Sequence, residues 1–204
     1  MRTEIIKVTA QDSGIINKAA ELIKSGELVA FPTETVYGLG VDGFNEAACK
    51  KIYDVKGRPD NKPLSLLVSG RAMIEELAEI SPIAEKLIET FMPGPLTLIL
   101  NQHINSAFRI THSELTIGVR MPDNEITLAL IKVANCPIAA PSANISGQAP
   151  PTTAQEVFKY FNGKIPLILD GGECTVGISS TVVDLTHDKP VILREGSITL
   201  DMII

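Results

Sequence analysis

Lys56 and Arg58 flank Gly57 and precede Pro59, and Lys62 follows four residues after Arg58. A guanidinium grips two phosphate oxygens in a planar fork, whereas an ammonium acts as a mobile point charge. Gly57 is placed to end a helix, leaving both cations on an irregular loop that can be aimed, and Pro59 stiffens that loop. The cluster suits a polyphosphate, or the charge that builds on a phosphorus during nucleotidyl transfer. Helix-end cations also complement the helix dipole, and that simpler role fits the same spacing.

Ser142 and Asn144 stand two apart after an apolar stretch. In an extended segment both side chains point to one side, where a hydroxyl and an amide can hold a phosphate oxygen, a ribose or a carboxylate. Arg120 closes Thr116-Ile117-Gly118-Val119, and Arg194 closes Val191-Ile192-Leu193. Either arginine could be a solvated strand end. Arg120 is the stronger candidate, because Met121-Pro122 stops its strand there. Glu34 is available as a base, although one carboxylate in a loop carries little weight.

Several familiar chemistries lack their pattern. Neither G-x-x-x-x-G-K-[ST] nor G-x-G-x-x-G occurs, so phosphates would have to be held by side-chain cations and hydroxyls. Ser179-Ser180-Thr181 has no histidine nearby, and G-x-S-x-G is absent, so no nucleophilic triad stands out. Cys49, Cys136 and Cys174 are widely spaced, and His103, His112 and His187 form no metal-ligand pattern. No structural disulfide or protein-ligated metal is expected, and any metal should arrive with a nucleotide.

The elements that must position these residues alternate. Residues 5–8 read as a strand, and Ser13 stands where a helix N-cap belongs. Ile15, Ile16, Ala19, Ala20, Leu22 and Ile23 then form one helical stripe ending at Gly26. Residues 28–31 read as a buried strand running into a loop over 31–40. Asn45 should cap a helix that Gly57 stops. Strands are expected at 64–68, 96–100, 116–120, 137–140, 168–170, 181–185 and 191–193. Helices are expected around Ile83–Phe91, at 126–134 and around Ala154–Phe161. Interleaved strands and helices predict an α/β fold with a mixed sheet. No repeat or linker divides the chain, so one domain over 1–204 is the economical reading.

The chain is 45% hydrophobic and 21% charged, with no Trp, so its core must rest on Ile, Leu, Val and Ala. No apolar run reaches the ~18 residues of a membrane span, and the start lacks the order of a signal peptide. A cytoplasmic protein with no membrane contact is the expectation. The net charge of −6 argues against non-specific nucleic-acid binding, because that affinity comes from neutralising phosphates.

Taken together, F-P-T-E-T-V-Y-G-L-G at 31–40, K-G-R-P at 56–59 and P-G-P-L-T at 93–97 resemble the YrdC-like threonylcarbamoyl-AMP synthase family. V-R-M-P at 119–122, P-I-A-A-P-S-A-N at 137–144 and S-S-T-V-V-D at 179–184 extend the resemblance over nearly the whole chain, in the family's order. It implies a twisted mixed α/β sheet curving around a concave, positively lined groove, in the short single-domain form. It also implies a reaction in which L-threonine, bicarbonate and ATP give threonylcarbamoyl-AMP and pyrophosphate. The product would serve the t6A modification of tRNAs that read ANN codons, through a downstream transferase machinery.

By position in the family's motifs, Arg58 and Lys62 would lie on the ATP phosphates with Lys56 beside them. Ser142, Thr116 and Arg194 would also face the nucleotide, Asn144 would complete the Ser-x-Asn element, and Pro150 would lie near the base. Thr33, Arg120, the Ala140 backbone and Ser180 would surround threonine. Mg²⁺ would ride on the triphosphate. Where many members carry a histidine near threonine, this chain has Leu67. Alternatives are an accessory RNA-binding module of the same fold, a carbamoyl-transfer enzyme with another acceptor, and a sister family lacking the K-x-R and S-x-N elements. Both elements are present here.

Overall fold

A computed structural model of the chain describes residues 2–103 and 115–203. His112 lies outside the described residues. The strands are β1 (Glu4–Lys7), β2 (Val29–Phe31), β3 (Gly38–Asp42), β4 (Ser65–Leu67), β5 (Leu96–Asn101), β6 (Thr116–Arg120), β7 (Ile138–Ala139), β8 (Leu167–Asp170), β9 (Thr181–Asp184) and β10 (Val191–Arg194). The helices are α1 (Ser13–Lys24), α2 (Glu46–Lys56), α3 (Arg71–Leu77), α4 (Pro82–Phe91), α5 (Glu125–Ala134), α6 (Ala154–Phe161) and α7 (Leu200–Ile203).

The strands join in one sheet in the order β1-β8-β2-β3-β7-β4-β6-β5-β9-β10. Its pairings are mixed. β8 runs parallel to β1 and β2, β4 to β6, and β5 to β9, while β3 and β7 are antiparallel to their neighbours. The α/β class with a mixed sheet is therefore as expected.

Period-2 alternation divides the core between the two faces of the sheet. Val29, Phe31, Leu67, Ile138, Leu167 and Leu169 pack with α1 and α5. Ala30, Leu39, Val41, Leu66, Ala139 and Ile168 pack on the other face with α2, α3, α4 and α6. Helix starts follow their caps. Asn45, Ser81, Asn124 and Thr153 each accept a backbone N–H from the first turn of α2, α4, α5 and α6. At α1 the N-cap is Asp12 rather than Ser13, and its carboxylate serves Thr9 instead of the helix.

Two expectations need correction. The stretch over 31–40 is not one loop, because Phe31 ends β2 and Gly38, Leu39 and Gly40 open β3, antiparallel to it. Gly40 is there for packing rather than for a ligand. A Cβ on it would stand 2.5 Å from Ile138 and 2.6 Å from the Phe31 ring, which fills the space above it. The two helices α3 and α7 are too short to have shown a helical period.

Candidate active site

The strand ends converge on one cleft, with an enclosed volume of about 130 Å³. Its floor follows from register. Ser65 pairs with Gly118 and Leu67 with Arg120, so these four residues share one face of the sheet. Gly118 keeps that floor low, since a Cβ there would stand 2.9 Å from the Ser65 hydroxyl. Around the floor stand Thr35 and Val36 after β2, Arg58 and Pro63 after α2, and Thr97 from β5. Ala140, Pro141 and Ser142 follow β7, while Ser179 and Ser180 precede β9 and Arg194 ends β10.

Three arginines therefore face one small space that no carboxylate lines. Each is held by oxygen atoms of the protein. Arg58 Nε donates to the Lys62 carbonyl (3.2 Å) and Nη2 to the Pro63 carbonyl (2.9 Å). Arg194 Nε donates to the Ser180 carbonyl (2.9 Å) and Nη2 to the Ser180 hydroxyl (3.1 Å), which lies 2.8 Å from the Thr97 hydroxyl. Arg120 Nε donates to the Gly94 carbonyl (3.3 Å) and Nη2 to the Thr35 hydroxyl (2.9 Å).

Arg120 also has a buried counterion. Its Nη2 lies 2.7 Å from Glu34 Oε2, with Arg120 7% and Glu34 6% exposed. The approach is off the N–H directions, so the contact is an ion pair rather than an aligned hydrogen bond, and both Glu34 oxygens lack a hydrogen-bond donor. Among the described residues Arg58 and Arg194 have no such neutralisation. Burial first, and then the charges of Arg120 and Arg58, pull Arg194 below its ordinary pKa; burial does the same to Arg58. The cleft is short of negative charge. An anion would relieve it.

Six residues singled out from sequence line the cleft: Arg58, Arg120, Ala140, Ser142, Ser180 and Arg194. Three others sit just behind it. The Thr33 hydroxyl donates to the Val36 carbonyl (2.7 Å) and accepts from the backbone N–H groups of Thr35 and Val36, so it shapes the turn that presents Thr35. The Asn144 amide donates to the carbonyls of Ile145 (2.9 Å) and Gln148 (2.8 Å) and accepts from Ser142 Oγ (2.5 Å).

Lys56, the third, departs most from expectation. It is not on an aimable loop but is the last residue of α2, only 2% exposed. Its ammonium donates to the carbonyls of Ser142 (2.5 Å) and Asn144. Lys62 and Pro150 are exposed and outside the lining. Thr116 pairs with Asn101 at the opposite end of β6 from Arg120, so it too lies outside the lining. Sequence reasoning passed over Thr35, Ser65 and Thr97. Alternation with Leu67 and Leu98 was the only signal that could have raised Ser65 and Thr97.

Burial, followed by the charge of Arg58, pushes Lys56 down to about 7. The sign for stability follows. Between pH 7 and the ordinary lysine value of 10.5 the unfolded chain binds the proton and the folded chain does not, so stability rises with pH across that window. Urea melts of the wild type should show a higher midpoint at pH 9 than at pH 7, and Lys56→Met should lose that increment. Parallel pH profiles for the two proteins would refute the shift.

All three cysteines are free and buried, and burial raises Cys49 and Cys136 to about 12 and Cys174 to about 11. None is poised as a thiolate nucleophile. Among the described residues no group of three His, Cys, Asp or Glu side chains could hold a metal ion, and no helix is long and apolar enough to cross a membrane.

Known proteins resemble this chain in sequence and fold. The Sua5/YciO/YrdC family model, described as "Telomere recombination", matches residues 21–196. A Pyrococcus abyssi protein named threonylcarbamoyl-AMP synthase is 50% identical over 92% of this chain, which spans 56% of that relative's length. A Methanocaldococcus jannaschii relative is 35% identical, covering 98% of this chain and 96% of its own. The crystal structure of P. abyssi Sua5 complexed with L-threonine superposes with a TM-score of 0.91 at 46% identity, covering 98% of this chain and 60% of that one. The chain thus spans little more than half the length of two of these relatives. With its fold, its K-x-R and S-x-N elements and this match, the chain belongs to the Sua5/YciO/YrdC family.

Proposed function

We propose that the chain makes threonylcarbamoyl-AMP and pyrophosphate from L-threonine, bicarbonate or CO₂, and ATP. The observation that carries this reading is the meeting of Arg58, Arg120 and Arg194 with the hydroxyls of Ser142, Ser180 and Thr97 in one cleft lined by no carboxylate. Such a lining suits two anions of different kinds, an amino-acid carboxylate and a triphosphate. The relative from P. abyssi bears the synthase name, and its Sua5 crystallises with L-threonine.

In this reading the neutral amine of threonine forms a carbamate, releasing a proton when it captures CO₂ or water when it captures bicarbonate. A carbamate oxygen then attacks the α-phosphorus of Mg²⁺–ATP, the bond to the β-phosphate breaks, and pyrophosphate leaves. The chain's own residues orient the reactants and neutralise charge, so no covalent enzyme intermediate is needed. Arg120 would take the threonine carboxylate, with Thr35, Ser65, the Ala140 backbone and Ser180 around it and Leu67 as an apolar wall. Arg58, Ser142 and Arg194 would meet the phosphates. The enclosed volume of about 130 Å³ falls below the ~300 Å³ of typical small-molecule pockets, so the nucleoside would extend outward past Lys62 and Pro150. The product would pass to t6A transferase machinery in the cytoplasm, which would move its threonylcarbamoyl group to tRNA and release AMP.

The test is mass spectrometry of the small-molecule products with each substrate omitted in turn. The AMP-linked product and pyrophosphate should form only when threonine, bicarbonate and ATP are all present. Pyrophosphate release without threonine, or none at all, would refute the synthase reading. Substituting other amino acids in the same assay reports how strictly the Leu67 wall selects.

A further inference from the structure

The K-x-R element splits in two directions. Gly57 adopts the left-handed conformation (φ 58°), so Lys56 ends α2 facing inward while Arg58 reaches the cleft. The inward lysine does not line the cleft. Its ammonium instead spans the Ser-x-Asn segment, bonding the carbonyls of Ser142 and Asn144. Its own carbonyl accepts from the Ser146 N–H (2.9 Å), so one residue ties down the segment at three points. From the other side the segment is anchored by the Ala143 N–H on the Tyr37 carbonyl (2.7 Å).

We propose that Lys56 is a positioning residue that does not meet the bound anion but clamps the Ser142 and Asn144 carbonyls, fixing where the Ser142 hydroxyl stands relative to the Arg58 guanidinium. The proposal rests on reading the cleft as the triphosphate site. The clamp needs two N–H donors, and lysine has them in either protonation state. Among the described residues Arg58 is the charged group that acts on Lys56, and the Ser142–Ser146 segment offers it carbonyls rather than a carboxylate. Burial beside a like charge makes the ammonium costly to keep, so hydrogen bonding to the segment is the role its surroundings support. Backbone carbonyls are otherwise satisfied within secondary structure or by solvent; here a buried side chain does it, and the segment's place depends on that side chain.

A double-mutant cycle on ATP affinity separates this role from direct phosphate contact. Ser142→Ala should weaken ATP binding roughly tenfold, the loss expected for one hydrogen bond to a charged group. Lys56→Met should weaken it at least as much, because it displaces Ser142. The double variant should then be no more than about threefold worse than Lys56→Met, since both changes remove one coupled feature. Threonine affinity, carried at the Arg120 side, should stay within about threefold in all three. If Lys56 touches the phosphates itself, the two losses multiply, and the positioning role is overturned. Absence of ATP binding by the wild type would overturn the reading of the site and this inference with it. Should Lys56→Met fail to fold, Lys56→Gln, which keeps an amide donor in place, runs the same cycle, and multiplying losses would overturn the positioning role there too.

Discussion

Arg58→Ala should lower kcat/KM for threonine-dependent pyrophosphate release by a factor of about 100 or more, comparable to losing one main stabiliser of transition-state charge. The fold should survive. The guanidinium is only part-buried, and its protein partners are two carbonyls of the adjoining loop, Lys62 and Pro63, together with the Tyr53 hydroxyl. Losing them should cost about 1.5 kcal/mol of stability per bond, the low end for a charged donor, because the freed carbonyls can turn to water. Arg58→Lys should recover little, since an ammonium cannot keep both loop carbonyls and still present a planar fork to phosphate. Activity within threefold of wild type for Arg58→Ala would contradict the phosphate role. A matching loss of thermal stability would show instead that the loop had collapsed.

Arg120→Ala should do two things at once. It should abolish saturable threonine binding, and it should destabilise the fold by roughly 3–5 kcal/mol, because Glu34 is left as an uncompensated buried charge. The two effects can be separated. Adding Glu34→Gln to Arg120→Ala removes the orphaned charge, so stability should partly return while threonine binding does not. Urea unfolding and calorimetric titration with threonine read the two quantities independently. If Glu34→Gln restored threonine binding as well, Arg120 would be a structural partner of Glu34 and not the carboxylate ligand.

Most of the fold was legible from sequence, because apolar periodicity and caps act locally. Asn45, which caps α2, and Gly57, which ends it, stand where their chemistry requires. What was not legible depended on partners distant in the chain. Gly38 to Gly40 read as part of a loop, and the side chains of Ile138 and Phe31 on the two strands beside β3 explain why glycine is needed at Gly40. The site divides the same way. Arg120 and Arg194 could be picked out as polar ends of apolar strands, and both line the cleft. Lys56 and Arg58 both read as cations on one aimable loop, yet a single left-handed glycine sends one inward and the other to the cleft. Thr116, which the family's motifs put on the nucleotide side, stands at the opposite end of β6 from Arg120 and outside the cleft lining. Ser65 and Thr97 needed the registers of β4 with β6 and β5 with β9 to reveal that they share the floor and wall of the cleft.

The cleft is bordered by residues from Thr35 to Arg194, contributed by strands from the middle of the sheet to its β10 edge. No contiguous stretch of the chain contains enough of it to bind anything alone. Occupancy is therefore linked to the folded state as a whole: a ligand at a hundred times its Kd would hold the native ensemble down by about 2.7 kcal/mol. That free energy is shared across segments far apart in the chain. Substrate would act as a keystone, and a cell short of it would hold a measurably more fragile protein.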